Sequence, residues 1–212
     1  MPSTRKNSDT PLPAQQRRSQ QTTERLIDAA EEILKTEGAD AATLRAIAEK
    51  AGVSIGIVYR RFPDKDTILR AVYMRYFSKA AASNQRVLSA TDWSRFSTTH
   101  LARLLIDGMV MNYRANRNLL KSLILYARSH DDPAFRERVE AMNEQAVTAL
   151  VGIFESRKSE MNHPHPSEGI RFALTSVAAV AQERAIFQKS MDPHLSRELL
   201  RLFSAYLGLP LS

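Results

Sequence analysis

Cysteine is absent from the 212-residue chain. That excludes disulfides, thiolate nucleophiles, cysteine-ligated zinc and iron–sulfur clusters, and it fits a reducing, cytoplasmic home. Glycine is scarce, at 7 residues, and neither G-x-G-x-x-G nor G-x-x-x-x-G-K-[ST] occurs, so no phosphate-cradling nucleotide loop is readable. Long apolar runs are also missing. The longest uncharged one, Phe172–Gln182 between Arg171 and Glu183, falls far short of the roughly 18 residues a membrane span needs. The opening MPSTRKNSDTP has no apolar stretch after its basic pair, so a secretory signal is not expected. No HExxH, no two Glu-x-x-His motifs of the di-iron bundle kind and no strand-borne nucleophile elbow can be read, so an enzyme is not expected.

What the chain does have is positive charge. Lys and Arg total 30 against 23 Asp and Glu, a net charge of +7, with a pI near 9.9. Such a balance favours a polyanionic partner, nucleic acid or an anionic surface. Hydrophobic residues at 43% and charged residues at 25% are the balance of an ordinary globular core with a solvated exterior.

Residues 1–18 mix Pro2, Pro11 and Pro13 with Ser, Gln and the basic Arg5, Lys6, Arg17 and Arg18, which reads as a disordered basic arm. Its first dozen residues read as a solvated tail, while Arg17 and Arg18 stand before the first helix, where such an arm could follow DNA into a minor groove. From Ser19 the pattern is helical. Leu26, Ile27, Ala30, Ile33 and Leu34 form one stripe, and Gly38 ends it. Thr43 caps a short helix over Leu44–Ala51, Gly52 breaks it, and Ser54 caps a third helix that Pro63 stops. Asp64 caps a fourth, which runs into the eighties. Helical periodicity resumes at Trp93, and Asp132-Pro133 and Asp192-Pro193 are N-cap and N1 pairs for two later helices. Asn162–Ser167, with its H-P-H-P run, is a connection. No alternating strand pattern appears. The expected fold is all-α, about nine helices, divided into a basic arm at 1–18, a helix-turn-helix domain at 19–64 and a larger helical domain at 65–212.

Residues Thr43–Lys65 read TLRAIAEKAGVSIGIVYRRFPDK. Two short helices joined by a turn opening on glycine are a helix-turn-helix. Ile47, Ala51, Val53 and Val58 are spaced to face one another, Ala48 is small where the helices cross, and Gly52 supplies a left-handed turn. Ile55, Gly56, Tyr59 and Arg60 share the opposite face of the third helix. That basic, aromatic, small-residue surface fits a major groove, where Arg reads guanine and apolar groups meet thymine methyls. Tyr59, Arg60, Arg61 and Lys65 can also donate to phosphates, which set register.

The stretch from about Thr23 to Phe77 resembles the DNA-binding domain of TetR-type transcriptional regulators. The likeness rests on the first-helix stripe, IAEKAGVS (Ile47–Ser54), Gly56, Tyr59 and Phe62-Pro-Asp-Lys65 followed by Ile68-Leu69. It implies a homodimer carrying two three-helix heads, a ligand-sensing domain behind them, and a four-helix dimer interface from the last two helices of each subunit. It further implies that Thr43 and Ser54 contact phosphate, that Arg45, Ile55, Gly56, Tyr59 and Arg60 approach bases or backbone, and that Lys65 anchors a phosphate. Ile57 departs from the family, which commonly has Thr or Ser there, and so puts the operator sequence in doubt.

In the larger domain, Val177, Ala178, Ala181 and Ala185 with Leu195, Leu199, Leu202, Phe203 and Tyr206 form two stripes expected at a dimer interface. One of those helices must also face its own core. Trp93, His100, Met109, Asn112, Tyr113, Tyr126, Arg128, Gln182 and Arg184 are candidates to line an effector pocket, with flexible methionines suiting a hydrophobic ligand. His163, His165, His130 and His194 raise a metal hypothesis, but the prolines explain their segment without one. No metal and no cofactor is expected. The leading expectation is a repressor released from a palindromic operator by a small effector, and the alternative is a helical ligand-binding or adaptor protein without specific DNA binding.

Overall fold

A computed structural model describes residues 14–210. Among them run nine α-helices: α1 (Ala14–Thr36), α2 (Leu44–Ala51), α3 (Ile55–Tyr59), α4 (Lys65–Ala90), α5 (Thr98–Ala115), α6 (Arg117–Ser129), α7 (Pro133–Glu155), α8 (Pro166–Ile186) and α9 (Pro193–Leu207). No strand occurs among the described residues, and none of these helices is long and apolar enough to cross a membrane.

Local chemistry sets most boundaries where the residues put them. Thr43 Oγ1 accepts from the Ala46 N–H at 3.1 Å, Asp64 from Thr67 at 2.7 Å, Asp132 from Phe135 and Asp192 from Leu195, each at 3.1 Å, satisfying orphan donors at four helix starts. Gly52 (φ 63°) and Gly208 (φ 66°) end α2 and α9 in the left-handed conformation. Three starts differ from the sequence reading. Helix α8 opens at Pro166, inside the expected Asn162–Ser167 connection, because the fixed φ of proline suits the first helical position. Helix α1 begins at Ala14, so Arg17 and Arg18 lie on it and not on an arm. The stretch after Pro13 has no Gly or Pro and is rich in Gln and Arg, so a helix nucleated on the core extends backward at little cost. The rest of the expected arm, residues 1–13, lies outside the described residues. Helix α5 begins at Thr98, capped by Ser97, and Trp93–Arg95 is a separate 3-10 turn capped by Asp92.

Two apolar clusters hold the helices together. The first joins Leu26, Ala30, Ile33 and Leu34 of α1 to Ile47 and Ala48 of α2, Val58 of α3, then Phe62, and Ile68, Leu69, Val72 and Tyr73 of α4. It does not stop at the head. Leu119, Leu123 and Tyr126 of α6 and Phe135 of α7 complete it. Tyr73 is fully buried there, with its hydroxyl on Ser122 Oγ, and burial pushes its phenol up to about 12. The second cluster packs Leu101, Ile106 and Val110 of α5 against Phe154, Ile170, Val177, Leu195, Leu199 and Phe203.

That second cluster corrects most of the expected dimer stripe. Val177, Ala181, Ala185, Leu195, Leu199 and Phe203 are buried inside one chain, because α5, α6 and α7 pack on α8, α5 also packs on α9, and α8 and α9 pack on each other. Ala178 is half-buried, while Leu202 and Tyr206 are exposed. They share the outer face with Phe172, whose ring lies 5.2 Å from that of Tyr206.

Candidate nucleic-acid interface

Helix α3 is only five residues long, too short to persist without packing. Val58, fully buried, and Phe62 anchor one side of it. An i, i+4 pair on one side leaves the opposite side outward. Ile55 is 42% and Tyr59 55% exposed, and Gly56 and Arg60 are exposed beside them. Gly56 has an ordinary helical φ, and a Cβ built on it would meet nothing within 4 Å. The fold therefore has no need of glycine there. A missing side chain on an open helical surface matters to something that approaches from outside.

The other expected contact residues surround this face unevenly. Arg45 is exposed on α2. The Thr43 oxygen is occupied as a cap but its hydroxyl proton is not. Ser54 has the backbone of an N-cap, yet its hydroxyl makes no cap bond, contrary to the sequence reading. Ile57 is half-buried. Lys65 Nζ donates to the Ala39 carbonyl at 2.6 Å, tying α4 to the α1–α2 connection. Arg61, expected at phosphate, turns away. Its Nε donates to Thr23 Oγ1 at 3.2 Å and its terminal nitrogens reach Ile57 O and Ser19 Oγ at 3.5 Å. Arg25 similarly donates to the carbonyl of Ala51 at the turn. Neither arginine's internal role was legible from local spacing, since their partners on other helices lie 26 or more residues away in sequence. Gly52–Gly56 also spells G-x-S-x-G. The elbow chemistry of that pattern needs a strand before the serine, and here a helix precedes it.

Behind the head, burial and hydrogen bonding divide the expected effector residues. Asn112 Nδ2 donates to the Tyr76 hydroxyl at 2.9 Å, and Tyr113 lies within hydrogen-bonding reach of Gln182, so Asn112 faces α4 while Tyr113 and Gln182 join α5 to α8. Burial raises the phenols of Tyr76 and Tyr113 above the ordinary range, against the lowering effect of those hydrogen bonds. Met109 packs on the second cluster. Trp93 lies apart, on a groove of about 620 Å³ lined by Phe96, Ala149, Gly152, Ile153 and Arg157, and His100 stacks on Phe96 at 5.3 Å. Tyr126 is core: its ring stacks on His130 at 4.0 Å and sits 5.5 Å from Tyr73. Arg128 is exposed, and Arg184 closes the α8–α9 connection through the Ser190 carbonyl at 2.9 Å. Of the histidines, His163 packs on Gly169 and Tyr206.

Residues 26–72 match the family model of bacterial regulatory proteins, tetR family. The transcriptional repressor KstR of Mycobacterium tuberculosis is 36% identical over 75 residues, 34% of either chain. The regulator SrpR of Pseudomonas putida is 46% identical over 54 residues, 26% of this chain and 25% of its own. The match thus spans about a third or less of the length of these two. The regulator BetI of Pectobacterium carotovorum aligns further, at 27% identity over 74% of this chain and 76% of its own. Among solved structures, a regulatory protein in the tetR family from Rhodococcus RHA1 superposes with a TM-score of 0.67 at 18% identity, covering 90% of this chain and 98% of that one. FadR from Bacillus subtilis, in complex with stearoyl-CoA, gives 0.61 at 21% identity, covering 85% and 96%. The amino-terminal residues 26–72 thus match the tetR-family model, and the chain as a whole shares the fold of these solved regulators.

Proposed function

We propose that the chain is a sequence-specific DNA-binding regulator, working as a homodimeric repressor that a small hydrophobic effector releases from a palindromic operator. The observation that carries this reading is the outer face of α3, where Ile55, Gly56, Tyr59 and Arg60 stand clear of a core that needs none of them. Apolar contact, close backbone approach and a guanidinium on one short helix are what reading base edges requires. Thr43, Arg45, Ser54 and Lys65 supply the flanking phosphate contacts, Lys65 through the donors that Ala39 leaves over. Ile57 adds an apolar contact at the edge.

A single head makes few contacts, and two heads related by a two-fold axis read half-sites a helical turn or more apart. The exposed Phe172, Leu202 and Tyr206 face suits a second copy of the chain. The polar pairs Tyr76–Asn112 and Tyr113–Gln182, set among apolar residues, suit an effector with an apolar body and few polar groups. The stearoyl-CoA held by FadR shares the apolar body in its acyl chain, though not the small polar part. Effector binding shifts the population of head spacings through α4, which starts beside the head and runs into the larger domain.

The test is a selection of genomic duplex fragments by the purified protein at near-physiological salt, with Tyr59→Ala/Arg60→Ala alongside. A palindromic site enriched by the wild type and lost in the variant is the expected outcome. Absence of any salt-dependent duplex binding would instead leave a helical ligand-binding or adaptor protein.

A further inference from the structure

Helix α3 is held in translation but weakly in rotation. Its backbone packs chiefly on α2, and its apolar anchors, Val58 and the following Phe62, lie close to one line along the helix. A five-residue helix pinned along one line can roll about it. Roll is the coordinate that decides where Tyr59 and Arg60 point. The group placed to stop it is Arg61, one residue before Phe62, whose guanidinium spans from the Ile57 carbonyl within α3 to Thr23 Oγ1 and Ser19 Oγ on α1. A planar fork bonded on both sides of the gap resists rotation in a way that a point charge on a flexible stem does not.

We infer that Arg61 is a positioning residue that sets the roll of the recognition helix against α1 and so carries sequence discrimination without touching DNA. This rests on the DNA-binding reading above. It differs from a phosphate-contact role in what it leaves alone. A phosphate contact supports every duplex equally and adds to the salt dependence. A roll constraint acts only where bases are read.

The experiment measures binding of the full chain to two duplexes, one selected by the wild type and one a shuffled sequence of equal length, at several salt concentrations. Wild type, Arg61→Ala, Arg61→Lys, Thr23→Val and the Arg61→Ala/Thr23→Val double variant are compared, with circular dichroism and thermal unfolding on each. Arg61→Ala and Arg61→Lys should each lose about tenfold on the selected duplex and little on the shuffled one, at an unchanged salt slope. Thr23→Val should lose about threefold, and the double variant should be no worse than Arg61→Ala, because the Arg61–Thr23 bond that Thr23→Val removes is already lost in Arg61→Ala. Thr23→Val keeps the arginine and its charge, so it decides the matter if Arg61→Ala fails to fold. Equal loss on both duplexes with a slope shallower by about 0.9, restored by Arg61→Lys, would make Arg61 a phosphate contact and overturn the inference. Unchanged binding in Arg61→Ala would overturn it too. A wild type with no salt-dependent binding to any duplex would remove the DNA-binding reading itself.

Discussion

Glu31→Gln tests how the head is fastened to the lever behind it. Glu31 lies on α1 with its side chain only 11% exposed, and Arg75 of α4 reaches it at 2.6 Å. Lys35 bonds its other oxygen at 2.7 Å, and Arg75 also holds Asp28 at 2.7 Å. Burial pushes the Glu31 carboxyl up, but the hydrogen bonds and charges of Lys35 and Arg75 outweigh it and hold the group at about 2, against 4.5 when free. Such a difference is worth on the order of 3 kcal/mol at neutral pH. Because the folded value is the lower one, this stabilisation is complete above the free value of 4.5 and drains away as pH falls toward 2. Glutamine keeps a hydrogen-bonding oxygen, and Arg75 keeps Asp28, so the expected cost at pH 7 is smaller, about 1–3 kcal/mol. Urea unfolding of both proteins at pH 7, 5, 4 and 3, followed by circular dichroism, reads it directly. The gap between the two should be widest at pH 7 and narrow steadily below pH 4.5. A gap below about 0.5 kcal/mol at pH 7, the scale of an ordinary surface substitution, or one that does not change with pH, would refute the assignment of this stability to Glu31.

Tyr73→Phe strands the buried Ser122 hydroxyl and should cost about 1–2 kcal/mol in chemical unfolding, with Ser122→Ala recovering part of it in the double variant. Gly208→Ala meets a left-handed φ and the Asn162 carbonyl 2.9 Å from the new Cβ, so about 1–3 kcal/mol should be lost in the same assay. Gly56→Ala should do the opposite in stability, raising it by up to about 1 kcal/mol in open helical space, while weakening binding to the selected duplex. A variant that binds as well as the wild type would remove Gly56 from the interface. Leu202→Glu with Tyr206→Glu places charge on the exposed α8–α9 face and should convert a dimer to monomer in sedimentation velocity. A wild type that already sediments as a monomer would refute that face as an interface.

Much of the head was legible in the sequence, as were several helix ends behind it, because their determinants are local. Thr43, Asp64, Asp132 and Asp192 cap helices whose orphan N–H groups lie three residues ahead, and the left-handed turns at Gly52 and Gly208 follow from a missing Cβ. The outward face of α3 follows from Val58 and Phe62 by spacing alone. Three things did not follow. The small and apolar stripes of α8 and α9 carry no mark saying which neighbour will cover them, and only the packing of α5, α6 and α7 on α8 and of α5 on α9 turned Val177, Ala181 and Leu199 inward and left Phe172 and Leu202 out. Tyr126 has the amphipathic character of a pocket residue until α4 and α7 close over it with Tyr73 and Phe135. Arg61 and Lys65 read as free cations because a long charged side chain finds its partner only when distant helices meet, Thr23 for one and the Ala39 carbonyl for the other. Periodicity and capping energies act within a few residues and are written in the chain. The choice among equivalent faces and among possible partners is made by packing, which no short window of sequence contains.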